Sequence, residues 1–230
     1  MSKLYFSYAA MNAGKSTVLL QASWNYQERG MRTLLFTSAL YAKHEDGRIT
    51  SRIGINADAT LYSETDNLQA RITREHKKKK VDCVFVDEAQ FLTKDQVWQL
   101  ARISDRLGIP VLCYGLRTDF RGELFPGSAE LLAIADSLRE IRTICHCGRK
   151  ATMVVRRTAE GKTLTTGNQV GIEKSMYLSL CRAHWEEETG RWPKAKPKAK
   201  PRAAKKKPAK KTHLHLAAAN TARPPRRVKR

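Results

Sequence analysis

The sequence of 230 residues has no long apolar run and few cysteines. No stretch approaches the length that crosses a membrane, and the N-terminus lacks a charged leader with a long hydrophobic segment. The cysteines number five, an odd count, and two of them, Cys83 and Cys113, lie inside apolar runs, which does not suit a disulphide framework. We therefore expect a soluble protein of the reducing cytoplasm that does not associate with membranes.

The last forty residues contain no aspartate or glutamate. They hold 16 of the 43 lysines and arginines and six of the eight prolines, so they supply most of the net charge of +21. The rest of the chain carries 27 basic and 22 acidic residues and is only mildly basic. Because such a segment cannot bury a core, the sequence predicts a disordered basic tail over residues 191–230. A tail of this kind is expected to bind nucleic acid weakly through its phosphates.

Strands and helices alternate over residues 1–140. The nearly continuous apolar segment 81–86 is typical of a buried parallel strand, and the amphipathic segment 93–107 is typical of a helix that covers one. Further strands are predicted at 4–8, 32–37 and 110–114, helices at 16–29, 66–76 and 128–138, and a long loop at 41–65. This alternation predicts an α/β domain with a parallel sheet and helices on both faces. A second, small domain with short strands is predicted over residues 141–190.

The segment AAMNAGKS lies between the first predicted strand and the first predicted helix. It fits the pattern GxxxxGK[S/T] except at its first position, which is Ala9. In this pattern, backbone N–H groups at a helix N-terminus surround phosphates, the lysine reaches the β- and γ-phosphates, and the hydroxyl binds Mg²⁺. The sequence therefore predicts a site for ATP and Mg²⁺. Its residues are Ala9, Ala10, Met11, Asn12, Ala13, Gly14, Lys15 and Ser16.

Asp87 and Glu88 directly follow the apolar segment 81–86. An apolar strand that ends in aspartate is how proteins with a phosphate loop hold Mg²⁺, which is the role predicted for Asp87. Glu88 would lie at the carboxyl edge of the sheet, where ligands bind. A carboxylate there can take a proton from a nucleophile, and the residues alone leave open whether that nucleophile is water or a substrate hydroxyl.

Two short clusters of metal-ligating residues lie in the second region. Cys145, Cys147, Cys181 and His184 would make a tetrahedral Cys₃His site for zinc. Because the protein fills all four positions, such a zinc ion would be structural. His146, between two ligands, is expected to point outward.

Two other classes of function compete with an enzyme that acts on a small molecule. The DEAQ segment after a buried strand also resembles the acidic box of helicases, although 140 residues are too few for paired motor domains. A zinc module with a basic tail could also be a non-enzymatic module that binds DNA or RNA.

Four motifs, taken together, resemble the type II thymidine kinases of bacteria and animal cytosol. They are AMNAGKST, VDEAQF, YGLRTDFRGELFPGS and CRAH, within a match over residues 4–185. The resemblance implies a phosphate-loop fold of the RecA type with a small zinc-ribbon-like domain that carries a lasso loop. It also implies ATP-dependent phosphorylation of the 5′-hydroxyl of thymidine, and of deoxyuridine as well, for nucleotide salvage in DNA synthesis.

The same resemblance implies roles for individual residues. Glu88 would be the general base, and Ala89 and Gln90 would lie in the nucleotide-binding turn. The thymine pocket would be lined by Met11, Phe91, Leu116, Phe120, Phe125 and Tyr177. The lasso over 169–176 would contact the base through the backbone of Val170, Gly171 and Ile172, although it lacks the family's usual glycine pair and is one residue short. Arg52 would contact phosphate. A homotetramer inhibited by the end-product triphosphate is also implied, and the basic tail lies outside the family pattern.

Overall fold

A six-stranded parallel sheet forms the body of the protein. The computed structural model describes residues 2–40, 47–169 and 176–191. The first eight strands are β1 (Leu4–Ala9), β2 (Thr33–Ser38), β3 (Arg48–Thr50), β4 (Asn56–Asp58), β5 (Thr60–Tyr62), β6 (Cys83–Val86), β7 (Val111–Leu116) and β8 (Ser137–Glu140). The order in the sheet is β5-β2-β6-β7-β1-β8, and every pairing in it is parallel. The predicted α/β fold is confirmed.

Helices cover both faces of this sheet. They are α1 (Lys15–Gln27), α2 (Leu68–Lys78), α3 (Lys94–Leu107) and α4 (Pro126–Ile134). All four residues of β6 are buried, and alternate side chains point to opposite faces. Val84 and Val86 pack in one core layer with residues of α2, α3 and α4. Cys83 and Phe85 pack in the other layer with residues of α1. The placement of Cys83 in a buried strand is as predicted.

The predicted helix over 93–107 is confirmed together with its boundaries. The Thr93 hydroxyl accepts a hydrogen bond from the backbone N–H of Gln96, and the Gln96 side chain accepts one from the N–H of Thr93. This reciprocal pair satisfies two N–H groups at the helix start. Gly108 ends the helix with φ 65°, a left-handed conformation that glycine adopts without steric cost.

Two element predictions are wrong. The predicted loop 41–65 contains a β3–β4 hairpin and β5, which pairs with β2 at the edge of the main sheet; residues 41–46 lie outside the described part. The predicted helix 128–138 ends at Ile134, and Ser137–Glu140 form the opposite edge strand β8. Both errors concern strands of three or four residues that pair on one side only, so their sequences show no continuous apolar run.

The described residues after β8 form small antiparallel sheets and one helix. These elements are β9 (Thr143–Ile144), β10 (Lys150–Ala151), β11 (Met153–Arg157), β12 (Thr163–Leu164), β13 (Met176–Leu180) and α5 (Arg182–Thr189). Strand β9 pairs with β10, while β11 lies between β12 and β13. The indole N–H of Trp185 donates to the carbonyl oxygens of Phe120 and Val154 at 3.1 and 3.0 Å, which joins α5 to the body. None of the helices in the described ranges is both long and apolar enough to span a membrane.

Candidate active site

The phosphate loop joins β1 to α1 through two residues in the left-handed conformation. Asn12 has φ 63° and Gly14 has φ 80°. Gly14 is also the N-cap of α1, and no side-chain hydrogen bond caps this helix. The N-terminus of a 13-residue helix, with its positive dipole end and free N–H groups, is therefore presented to an anion.

Lys15, Ser16 and Asp87 meet at this helix start. The Ser16 hydroxyl donates to Asp87 Oδ2 at 2.9 Å. Lys15 is buried, and its ammonium group lies 3.5 Å from the carbonyl oxygen of Ala10. Burial lowers the pKa of Lys15, while the carboxylates of Glu88 and Asp87 act in the opposite direction.

The Asp87 carboxyl group fits a bound cation. Its Oδ1 atom is fully buried and accepts no hydrogen bond among the described residues. Burial raises the pKa of Asp87 to about 7, and the neighbouring charge of Glu88 adds to the effect. A buried carboxylate oxygen without a partner, beside a hydroxyl, is a suitable ligand set for Mg²⁺.

Glu88 lies half-buried between the phosphate loop and an apolar region. It has φ 51° and precedes a 3₁₀ turn, Ala89–Phe91, that begins the connection from β6 to α3. Its side chain lines a cavity of about 450 Å³ together with the phosphate loop. Of the predicted cofactor-binding residues, this cavity is lined by Met11, Asn12, Ala13, Gly14, Lys15, Ser16 and Glu88.

Five of the predicted cofactor-binding residues lie behind the cavity wall instead. They are Ala9, Ala10, Asp87, Ala89 and Gln90, and all are buried. The side chain of Gln90 donates to the Glu88 carboxylate and accepts from the backbone N–H of Leu116 at 2.9 Å. Gln90 thus connects the acidic residue to the end of β7.

A nearly closed apolar cavity, of only about 10 Å³, adjoins the first one. All six residues predicted for the thymine pocket line it: Met11, Phe91, Leu116, Phe120, Phe125 and Tyr177. The rings of Phe91 and Phe125 meet edge to face with centroids 5.7 Å apart. Three residues, Met11, Leu116 and Tyr177, line both cavities, so the phosphate end and the apolar end are contiguous. The predicted contacts of Val170, Gly171 and Ile172 lie outside the described residues.

Sequence reasoning missed several residues of these cavities. Thr50, Ser51 and Ile53 from the β3–β4 hairpin line the phosphate end beside Arg52. Thr118, Asp119, Val154 and Gln169 line the apolar end. The length of the 41–65 segment was the available signal, because long segments of this kind are often functional. Asp119 stabilises its own turn by accepting the N–H groups of Arg121 and Glu123 at 2.9 Å each.

Strand β13 is hydrogen-bonded directly to the phosphate loop. The Asn12 side chain donates to the carbonyl oxygen of Tyr177 at 3.4 Å, and the Ser179 hydroxyl donates to that of Met11. The chain reaches Cys181 two residues after Ser179. These two hydrogen bonds therefore connect the phosphate loop to the cysteine-rich region.

The four predicted zinc ligands form one cluster. The ligand atoms of Cys145, Cys147, Cys181 and His184 all lie within 4.8 Å of one another. His184 Nδ1 is 3.3 Å from Cys145 Sγ and 3.5 Å from Cys181 Sγ, and the sulphurs of Cys147 and Cys181 are 3.8 Å apart. Tetrahedral zinc with Zn–S of about 2.3 Å would place its ligand atoms about 3.5–3.8 Å apart, so the cluster fits zinc. His146 is exposed, but the expectation that it points outward is wrong: its ring stacks on His184 at 4.2 Å and its Nδ1 lies 3.6 Å from Cys145 Sγ.

Most of the described part of the chain matches a known protein family. A sequence model described as "Thymidine kinase" matches residues 2–185. The chain belongs to the thymidine kinase family. It is 64% identical over 191 residues to a thymidine kinase of Mesorhizobium japonicum, covering 83% of this chain and 94% of that protein. It is 61% identical over 188 residues to one of Agrobacterium fabrum, covering 81% and 97%. A thymidine kinase of Ruegeria pomeroyi is 60% identical over 191 residues, covering 83% and 96%.

Three of the four motifs that carry the family resemblance form the two cavities, and the fourth forms part of the Cys/His cluster. AMNAGKST forms the phosphate loop, and VDEAQF runs from β6 into the 3₁₀ turn. YGLRTDFRGELFPGS supplies Leu116, Phe120 and Phe125 to the apolar cavity. CRAH supplies two of the four ligands in the cluster. The match to the thymidine kinase family ends at residue 185, and residues 192–230 lie outside the described part.

Proposed function

We propose that this chain transfers the γ-phosphoryl group of ATP to the 5′-hydroxyl of thymidine, forming the monophosphate for DNA synthesis. The observation that carries the proposal is the contiguity of the two cavities, with Glu88 on the wall of the phosphate end. The walls of the apolar end would have to move apart to admit a base, since the cavity there holds only about 10 Å³. A nucleoside bound in this way would direct its 5′-hydroxyl towards Glu88 and the phosphate loop.

The residues divide the work of phosphoryl transfer, which is mainly positioning and charge neutralisation. Backbone N–H groups of the loop and the Lys15 ammonium group bind the phosphates. Ser16 and Asp87 would hold Mg²⁺, whose charge helps to neutralise the triphosphate. Glu88 accepts the proton of the 5′-hydroxyl, and the apolar walls keep water away from the reacting phosphate.

The preference for thymidine is proposed from the family to which the chain belongs, and the apolar residues at this end are compatible with it. Phe91, Phe120 and Phe125 offer flat apolar surface to a pyrimidine ring. Thymine and uracil differ by one methyl group, a difference worth roughly 10- to 200-fold in discrimination at most. Deoxyuridine is therefore proposed as a second, poorer substrate.

The test is transfer of ³²P from γ-labelled ATP with Mg²⁺ to a panel of nucleosides. Label at the 5′ position of thymidine, and weaker label on deoxyuridine, is the expected result. If no nucleoside is labelled but DNA or RNA stimulates ATP hydrolysis, the chain is a nucleic-acid motor and the proposal is wrong.

The Cys₃His cluster is proposed to hold one structural zinc ion. Its support is the spacing of the four ligand atoms. Because β13 runs from Cys181 to the phosphate loop, the ion would fix the strand that carries Tyr177.

The basic tail is proposed to add weak, salt-sensitive binding to nucleic acid. Arg191 is part of the folded body, since its guanidinium lies 4.8 Å from the Trp185 ring and donates to the carbonyl oxygen of Arg121. Deletion of residues 192–230 is expected to abolish DNA binding in a filter assay at low salt and to leave kinase activity intact. Loss of both DNA binding and kinase activity would contradict the assignment of DNA binding to the tail alone. A cytoplasmic homotetramer is part of the proposal, and light scattering on the purified protein tests the assembly.

A further inference from the structure

Glu88 occupies a backbone conformation that residues with a Cβ rarely adopt. Its φ of 51° and ψ of 37° lie in the left-handed region. Such a conformation persists only where the surrounding structure holds it. The contacts of Glu88 therefore decide where its carboxylate points.

Tyr62 holds the backbone end of Glu88. Its hydroxyl donates to the Glu88 carbonyl oxygen at 2.9 Å, and the same oxygen accepts the N–H of Phe91 at 3.0 Å. Two donors on one carbonyl fix the orientation of the peptide plane that follows Glu88. Tyr62 lies at the end of β5, on the segment that also carries Arg52 and the rest of the hairpin wall of the phosphate cavity.

Tyr62 is itself rigidly placed. Only 1% of its surface is exposed, and its ring packs in the core layer with Val86 and Ala89, on either side of the acidic pair. Its carbonyl oxygen accepts the N–H of Ala39 at 2.8 Å, which anchors the end of β5. Burial raises the pKa of Tyr62, so its hydroxyl keeps its proton and remains a donor.

The carboxylate end of Glu88 is held separately. The amide of Gln90 donates to Glu88 Oε2, and Gln90 Oε1 is in turn fixed by the N–H of Leu116. Glu88 is therefore held at both ends, by Tyr62 from the edge strand β5 and by Gln90 of the 3₁₀ turn, which is itself bonded to β7.

We propose that Tyr62 is a positioning residue, which keeps the Glu88 backbone in the left-handed conformation so that its carboxylate faces the acceptor hydroxyl. This inference rests on the proposed function, because it assumes that Glu88 acts as the general base. A residue that only stabilised the core would affect folding but would not act selectively on turnover.

The test is Tyr62→Phe, with Tyr114→Phe as its matched control. Tyr114 is also a buried tyrosine of the sheet, but it packs in the opposite core layer with Leu19 and Phe85. We expect Tyr62→Phe to lower kcat about tenfold and to leave KM for thymidine and for ATP within about twofold, since general-base geometry matters only in the transition state. Tyr114→Phe should keep the wild-type kcat.

A double-mutant cycle separates positioning from general damage. In the Glu88→Gln background, Tyr62→Phe should cause no further loss of kcat, because the group that it positions is gone. Gln90→Met tests the contact at the carboxylate end of Glu88 and should likewise lower kcat with little change in KM.

Each outcome is decisive. Unchanged kcat in Tyr62→Phe, an equal loss in Tyr114→Phe, or fully additive losses in the cycle would overturn the inference while leaving the kinase activity of the wild type standing. Absence of thymidine phosphorylation by the wild type would instead overturn the proposed function, and the inference with it.

Discussion

Gly127 allows helix α4 to approach the turn that carries the acidic residue. A Cβ at this position would lie 2.6 Å from the carbonyl oxygen of Ala89, 2.7 Å from that of Leu92 and 3.0 Å from that of Gln90. All three obstacles are backbone atoms, so none can rotate away. Gly127→Ala must therefore move α4 and the 3₁₀ turn apart by about 0.4 Å at least, to bring the closest contact to 3.0 Å.

This overlap sets the expected losses of stability and of kcat in Gly127→Ala. Overpacking of a rigid contact costs about 1–3 kcal/mol, so we expect Gly127→Ala to lower the free energy of unfolding by about 2 kcal/mol. For a folded body of this size the melting temperature should fall by about 4–8 °C. Displacement of the turn by a few tenths of an ångström should also lower kcat, by about tenfold, because misplacement by 1 Å can cost a hundredfold.

Gly108→Ala is the matched control. Gly108 has φ 65° and has nothing within 4 Å of an added Cβ, so alanine there costs about 1–2 kcal/mol of backbone strain and no displacement. Denaturant unfolding and steady-state kinetics on both variants measure the two effects. Displacement of the 3₁₀ turn is not the cause of the effect if Gly127→Ala keeps the wild-type kcat, or if Gly108→Ala loses as much kcat for the same loss of stability.

Three further predictions concern zinc, pH and phosphate binding. Cys147→Ser should lower the zinc content well below one ion per chain by elemental analysis, while Cys113→Ala, in the core, should keep it. Because the pKa of Asp87 is raised to about 7 in the folded protein, protonated Asp87 stabilises the folded state. This stabilisation is fully present below about pH 4 and is lost as pH rises through about 7. Without added Mg²⁺, the free energy of unfolding should therefore fall by about 2 kcal/mol between pH 5 and pH 7, and Asp87→Asn should flatten this dependence. Arg52→Ala should raise KM for ATP about tenfold, whereas Arg48→Ala, on the same hairpin but paired with Asp58, should not.

Local chemistry explains which features could be predicted from the sequence. The phosphate loop, the buried strand β6 and the capped helix α3 each depend on neighbouring residues, so their patterns are readable without tertiary information. The four ligands of the cluster were predictable because cysteine and histidine in a polar setting have few other roles. The resemblance to thymidine kinases supplied the six lining residues of the apolar cavity, which would otherwise read as core.

Tertiary pairing explains the features that could not be predicted. Strand β5 has only three residues, and it is a strand because β2 pairs with it. The hydrogen bond from Tyr62 to Glu88 joins residues 26 positions apart, and nothing in either neighbourhood indicates it. Gln90 points inward to Leu116 because β7 ends beside the 3₁₀ turn, an arrangement that the sequence does not encode locally.

Glu88 is proposed to be the general base for a nucleoside hydroxyl. The most direct test is steady-state phosphorylation of thymidine by the wild type and by Glu88→Gln, with the product identified as the 5′-monophosphate. If Glu88 is the general base, kcat should fall about 10²- to 10⁴-fold in the variant, with KM for thymidine and for ATP nearly unchanged. A variant that retains more than about a tenth of the wild-type kcat would contradict it, since loss of a general base cannot cost so little.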